Sequence, residues 1–282
     1  AAMRLRRLLH RFDPDLCVAH GNRAMSLLRA AGAAPVVAVL PNYKVKCHDA
    51  AGVFYPTLSL RQFAESQGVP VAAMHHIPSM VRVPPTPRPR DRWDTPRIGA
   101  MGRFVAKKGF DLFIVALGRL RDQGAGFRAV LAGDGEERAA LERRVAACGL
   151  RDVVTFTGWV SDKRAFFDGI DVFCLPSYHE PFGIVLLEAM AQGMPIVATD
   201  SEGPSEILRD GVDGDVVPIG DAERLAHAVH RMIADPERAG RLGEAAWRRA
   251  RDVYDLPRVA ARIDCAVRGV VATSRRMAEA SG

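Results

Sequence analysis

No stretch of this chain reaches the ~20 consecutive apolar residues that a membrane-crossing helix needs, so no span is expected. Cysteine is sparse as well. The five cysteines, Cys17, Cys47, Cys148, Cys174 and Cys265, are odd in number, scattered and without a C-x-x-C pair. That argues against a disulfide scaffold and a zinc ribbon, and fits reduced thiols and a cytoplasmic protein with no structural metal. Aromatic residues make up only 7% and do not interleave with the basic ones, so a nucleic-acid stacking platform is not expected and no nucleic-acid partner is assigned. Three phosphate or nucleophile signatures are missing too. Gly99, Gly102 and Gly109 are misspaced for G-x-G-x-x-G, and Arg138 stands where Gly133 and Gly135 would need a third glycine; neither G-x-x-x-x-G-K-[ST] nor G-x-S-x-G occurs. These gaps count against a dinucleotide enzyme, a P-loop NTPase and a serine hydrolase.

What is present begins with length and an uneven charge. With 282 residues the chain can bury two cores. Residues 1–90 hold 12 Lys or Arg against 4 Asp or Glu, a balance of +8, whereas the remainder is at −2 within a total of +6. Such asymmetry points to an anionic neighbour of the first part: a membrane surface, a phosphorylated substrate or nucleic acid. The opening AAMRLRRLLHRF sets Leu5, Leu8, Leu9 and Phe12 on one helical stripe among Arg4, Arg6, Arg7 and Arg11. It reads either as an interfacial helix on anionic lipid or as a domain helix with a solvated basic face.

Apolar runs and helical patterns then alternate. The first part offers strands at 16–19, 35–40, 52–55 and 74–77 with helices at 22–31 and 58–68. Residues 83–96, VPPTPRPRDRWDTP, carry five prolines and five charges and read as a linker. From Arg97 the pattern sharpens. Strands are expected at 97–101, 128–132, 153–157, 172–175, 195–198 and 214–217, and helices at 109–122, 136–148, 163–169, 182–192, 205–209, 221–234, 236–253 and 257–280. The fold class is therefore α/β with two Rossmann-like, doubly wound domains. The boundaries are 1–87 for the first, 88–96 for the linker, 97–254 for the second, and 255–282 for a last helix crossing back to the first.

In an open parallel sheet, ligands bind beyond the carboxyl ends of the strands. The loops expected at that edge are GRFVAKKG (102–109), GDG (133–135), GWV (158–160), SYHEPFG (177–183) and DSEGPSE (200–206). A lone Arg or Lys is ordinarily a solvated charge, but Arg103 and Lys108 share their edge with glycine loops and a helix start, which makes an anion site of diphosphate type. The helix after Pro181 offers the free N–H groups of Phe182, Gly183 and Ile184, suited to charge developing on a leaving group. In that helix Glu188 stands among Val185, Leu186, Leu187, Ala189 and Met190, where an unpartnered carboxylate costs several kcal/mol. Hydroxyl or cationic donors must meet it there.

Taken together, Gly102-Arg103 with Lys108-Gly109, the GDG turn, FTGWV (156–160), Pro176-Ser177, EPFG at Glu180, EAMA at Glu188, GMPIVAT (193–199) and GPSE (203–206) resemble the C-terminal domain of retaining, GT-B fold glycosyltransferases of family 4. The match covers about Arg97 to Pro218 in order. The resemblance implies transfer of a sugar from a nucleoside diphosphate sugar to an acceptor hydroxyl with retained configuration, without cofactor or metal. The basic first part adds the expectation of an acceptor in lipopolysaccharide or other cell-envelope glycan synthesis, a glycan or lipid-linked one, and of a place in the cytoplasm, peripheral on the inner face of the membrane. Carried over by position, Arg103 and Lys108 bind the diphosphate, Glu180 faces the donor sugar, and Glu188 holds the ribose hydroxyls. Gly102, Gly133 and Gly135 shape the donor loops, backbone at Phe182, Gly183 and Ile184 meets sugar and phosphate, and Val160 borders the base. No catalytic base is assigned.

Less of the first part resembles the family. DLCVAHG (15–21) resembles the strand leading to a His, which makes His20 a candidate, and residues 68–78 resemble the strand before the linker. By the family's pattern the first domain is incomplete by roughly two βα units, and Pro41-Asn42 stand where the family often has a His. These departures keep a second expectation open: a truncated or degenerate module that binds a sugar nucleotide without turning it over.

Overall fold

The structure is a computed structural model that describes residues 1–33, 35–44, 46–87 and 94–281. The chain divides into two compact units, Ala1–Ser79 with Leu256–Gly282, and Met80–Asp255.

In the first unit, helix α1 (Ala2–Phe12) precedes β1 (Cys17–His20), α2 (Asn22–Ala30), β2 (Val36–Val39), β3 (Gly52–Tyr55), α3 (Leu58–Ser66) and β4 (Met74–His76). The four strands pair in parallel in the order β1-β2-β3-β4. Parallel strands need crossovers, and α2 and α3 supply two of them with short apolar stripes; Met25, Leu28, Leu60 and Ala64 are buried against Val36, Ala38 and Val53. Residues 256–281 belong here too, as the unit's last helix: its Ala266 and Val270 pack on Val37 and Phe54 of the sheet's other face.

The second unit runs β5 (Arg97–Met101), α4 (Phe110–Asp122), β6 (Arg128–Ala132), α5 (Arg138–Ala147), β7 (Val154–Gly158), α6 (Lys163–Asp168), β8 (Val172–Leu175), α7 (Ile184–Ala191), β9 (Ile196–Thr199), α8 (Glu202–Ile207), β10 (Asp215–Val217), α9 (Ala222–Ala234) and α10 (Pro236–Arg249). Its sheet has the order β10-β9-β8-β5-β6-β7, every pair parallel. Chain direction across the sheet therefore reverses between β5 and β8, the switch point at which open α/β sheets form their crevice. Near-continuous apolar runs explain why these strands lie inside: β8 and β9 are buried at every residue because helices cover both faces. One apolar cluster joins α4, α5 and α9 to the sheet, with Phe104, Phe113 and Leu117 shielded from solvent; the other joins α6, α7 and α8.

At the amino ends of the switch-point strands, Asp171 and Arg97 tie the sheet shut. The Asp171 N–H donates to Arg97 O at 2.7 Å, and the Arg97 N–H donates to Asp171 Oδ2 at 2.8 Å. The carboxyl ends carry the loops.

The linker expected over 88–96 falls largely on residues 88–93, which lie outside the described residues. Residues 80–87 group with the second unit rather than the first. Hydrogen bonds give the reason: Val81 N–H donates to Tyr254 O at 3.0 Å, Val83 N–H to Asp255 Oδ1 at 3.0 Å, and Trp247 Nε1–H to Pro84 O at 3.0 Å. The segment is rich in proline yet held as an extended strap.

Candidate functional site

Two loops flank the switch point, 102–109 after β5 and 176–183 after β8, and they bond to each other directly. The Tyr178 and His179 N–H groups both donate to Lys107 O, at 2.9 and 3.1 Å. This fixes Lys108 opposite Glu180, and the Lys108 ammonium pairs with Glu180 Oε2. Both side chains are mostly buried, so the pair is screened far less than a surface ion pair. Arg103, by contrast, is exposed, and its guanidinium meets no carboxylate among the described residues.

The glycine turns earn their places through close approach. Gly133 has φ +143°, and a Cβ there would strike the Gly102 carbonyl oxygen, so the loops after β5 and β6 touch through bare backbone. Gly135 packs equally close on Phe104, whose N–H donates to Asp134 O at 2.8 Å. The Gly133 N–H donates to Gly158 O at 2.8 Å, which brings in the loop after β7. Val160 follows in that loop and packs half-buried at the edge of the α6–α7 cluster, while the neighbouring Trp159 is exposed.

Helix α7 begins at Ile184, one or two residues later than the sequence pattern suggests. Gly183 is the N-cap with φ +98°, a left-handed conformation that ends the loop before the helix can start. The first intrahelical bond is Leu186 N–H to Gly183 O at 2.9 Å. The N–H groups of Phe182, Gly183 and Ile184 precede it and donate to no backbone group among the described residues. Phe182 and Gly183 are buried, whereas Ile184 is 54% exposed, so the apolar helix is not buried all round.

Glu188 lies one turn into α7. Its Oε2 is buried with no hydrogen-bond partner, while Oε1 lies 2.6 Å from Lys163 Nζ, at the start of α6. The carboxylate therefore does meet a cation, one that the sequence pattern did not single out. Oε1 carries the ion pair, and Oε2 keeps unfilled acceptor capacity.

Glu180 is held at its backbone as well as its side chain. Its N–H donates to Glu202 Oε2 at 3.1 Å, its carbonyl accepts from Gly203 N–H at 2.7 Å, and His179 Nδ1 lies 3.3 Å from Glu202 Oε1. Burial opposes ionisation of Glu202, but the hydrogen bonds from the backbone and His179 outweigh it and hold its carboxyl below the ordinary glutamate range. Behind the loop, Tyr178 donates to Asp111 Oδ2 at 3.1 Å, and burial followed by the Asp111 charge pushes its phenol up to about 12.

His20 closes β1 in the first unit and is exposed there. His75 is a packing residue, edge-on to Phe54 at 5.7 Å between ring centroids, and burial lowers its pKa. His76 stacks on Tyr55 at 5.4 Å. Among the described residues no group of three or more His, Cys, Asp or Glu is arranged to hold a metal, all five cysteines are free, and no helix is long and apolar enough to cross a membrane.

A family model of glycosyl transferases group 1 matches residues 88–249. The chain is 46% identical over 151 residues to the lipopolysaccharide core biosynthesis glycosyltransferase LpsE of Rhizobium meliloti (strain 1021), a match covering 54% of this chain and 43% of LpsE. It thus spans less than half the length of that relative. With the lipopolysaccharide core biosynthesis glycosyltransferase LpsD of the same organism it is 32% identical over 251 residues, 85% of this chain and 71% of LpsD. Among solved structures, Anabaena Alr3699/HepE in complex with UDP superposes with a TM-score of 0.84 at 20% identity, covering 95% of this chain and 82% of that one. At that identity the likeness concerns the fold, two parallel-sheet Rossmann-like domains of GT-B type.

Proposed function

The chain belongs to the group 1 glycosyl transferase family, and from this premise we propose that it moves a sugar from a nucleoside diphosphate sugar to an acceptor hydroxyl, with retention, as in glycosyltransferases of family 4. The observation that carries this reading is the pairing of Lys108 with Glu180 across the switch point, beside the open first turn of α7. A cation, a carboxylate and free N–H groups within one crevice suit a diphosphate leaving group joined to a polyhydroxylated ring.

In the proposed reaction the bond from the anomeric carbon to the diphosphate oxygen breaks and its electron pair leaves on the diphosphate, while the acceptor oxygen bonds that carbon from the same face and passes its proton to the departing diphosphate oxygen. Lys108, Arg103 and the N–H groups of Phe182, Gly183 and Ile184 stabilise that charge. Glu188 accepts hydrogen bonds from the ribose hydroxyls beside its ion pair with Lys163. Glu180 faces the sugar, Gly102, Gly133 and Gly135 let backbone approach the donor, and Val160 borders the base. His20 is a candidate on the first unit. The donor is a substrate, and no cofactor or metal is part of the proposal.

The relatives LpsE and LpsD are named for lipopolysaccharide core synthesis, and UDP is the ligand of HepE. A cell-envelope glycan or lipid-linked acceptor at the cytoplasmic face of a membrane is the corresponding proposal here, with a uridine or guanosine donor. Helix α1 fits that location, since no residue in it is buried and Leu8 and Phe12 are exposed beside Arg4, Arg7 and Arg11. The test is release of nucleoside diphosphate from a panel of nucleotide sugars in the presence of lipid-linked glycans, with the product anomer read by NMR. An α-linked donor should give an α-linked product. Donor binding without any product would favour a binding module.

A further inference from the structure

The backbone of Glu180 owes its place to the start of α8. It is gripped there at both ends: the N–H by Glu202 Oε2 at 3.1 Å, the carbonyl by Gly203 N–H at 2.7 Å. Gly203 sits so close to Phe182 that a Cβ would collide with the Phe182 carbonyl, so the 180–182 segment lies flat on the first turn of α8. The second Glu202 oxygen faces His179 Nδ1 at 3.3 Å. One carboxylate thus spans two consecutive residues of the loop that carries Glu180. The Lys108 ammonium holds only the far end of the Glu180 side chain.

Glu180 is 7% exposed, and withdrawing the Glu202 oxygen leaves its N–H without the acceptor it has in the structure. The peptide unit would have to turn to find another acceptor. Such a turn moves the Glu180 carboxylate relative to Lys108 and the α7 terminus but leaves Glu188, Lys163 and Arg103 where they are. Resting on the function proposed above, we propose that Glu202 is a positioning residue of the donor site: it fixes the backbone at Glu180 and thereby aims that carboxylate at the sugar half of the donor, not at its nucleotide half.

The test compares Glu202→Ala, Glu202→Gln and the wild-type chain by calorimetric titration with UDP, GDP, UDP-glucose and GDP-mannose, and by donor hydrolysis. Loss of Glu202 should leave the affinity for nucleoside diphosphate within about two-fold. Affinity for the matching nucleotide sugar and kcat for its hydrolysis should both fall about 10- to 100-fold, the cost of misplacing a group by an ångström. Glu202→Gln keeps an oxygen able to accept from the Glu180 N–H and should recover most of both. Should Glu202→Ala fail to fold, Glu202→Asp makes the same comparison, since it keeps the charge but is one methylene too short. The proposal is overturned if the Ala or Asp variant matches the wild type, if affinities for diphosphate and nucleotide sugar fall in step, or if Gln does no better than Ala. A wild-type chain that binds none of the four ligands removes the glycosyltransferase reading itself, whereas normal wild-type binding with an indifferent Glu202 removes only this one.

Discussion

Lys163 Nζ lies 2.6 Å from Glu188 Oε1, joining the first residue of α6 to the middle of α7 while the other Glu188 oxygen stays buried without a partner. The arrangement explains how a carboxylate persists within an apolar helix: it is half neutralised by a cation that remains partly in solvent. A double-mutant cycle of Lys163→Ala and Glu188→Ala, followed by urea denaturation, should give a coupling of about 0.5–1 kcal/mol, the range for a partly exposed pair. Coupling near zero would mean that the pair is not formed in solution.

Gly109 occupies the turn that lifts Lys108 toward Glu180. It has φ +64°, and a Cβ would meet the Pro176 carbonyl. Left-handed backbone costs an L-residue about 1–2 kcal/mol and the collision adds about 1–3 more. Gly109→Ala should therefore lower stability by about 2–5 kcal/mol in urea denaturation and loosen the Lys108–Glu180 pair. Gly124 also has positive φ but faces open space, so Gly124→Ala should cost only the backbone portion.

Much of this was legible in the residues. The strands β5, β6 and β8 fall on the expected ranges because runs such as IGAM and VFCL are apolar throughout, which a strand covered on both faces tolerates. Helix α8 did not fall where expected: the pattern put it at 205–209, yet it runs Glu202–Ile207 with Pro204 in its first turn. A helix's first turn does not use its N–H groups, so proline costs little there. The partners Lys163 and Glu202 lay beyond sequence reasoning for a different reason. They meet Glu188 and Glu180 across 25 and 22 residues through strand order, and no local spacing encodes that meeting. What hinted at Glu202 was only its position in a loop at the carboxyl edge of the sheet.

The titration of the chain should carry two signatures. Burial raises the Tyr178 phenol to about 12, so its stabilising bond to Asp111 is fully present below the ordinary tyrosine value and is lost as pH rises through about 12. Tyr178→Phe should remove one late-ionising phenol from the ultraviolet titration. The Glu202 carboxyl is held low, so its contribution is present above the ordinary glutamate range and disappears as pH falls through its folded value. The melting-temperature gap between wild type and Glu202→Gln should accordingly be constant near neutrality and narrow below about pH 4.

Helix α1 exposes Met3, Leu8 and Phe12 among arginines. If this face rests on anionic lipid, the protein should sediment with phosphatidylglycerol vesicles and not with phosphatidylcholine ones. Exchanging Arg4 and Arg7 for Gln should weaken binding roughly 30-fold, at about 1 kcal/mol per basic side chain. Equal sedimentation of the variant, or insensitivity to salt, would assign α1 an ordinary solvated face.

Glu188 and Lys108 are proposed to hold a nucleoside diphosphate at the edge of the second sheet. Calorimetric titration of the wild-type chain, Glu188→Ala and Lys108→Ala with UDP and GDP tests it most directly. The wild type should bind at least one of the two saturably, and either substitution should weaken that binding about 10-fold or more, or at least about 1.4 kcal/mol. Unchanged affinity in both variants, or no binding of either nucleotide to a folded wild-type chain, would contradict it.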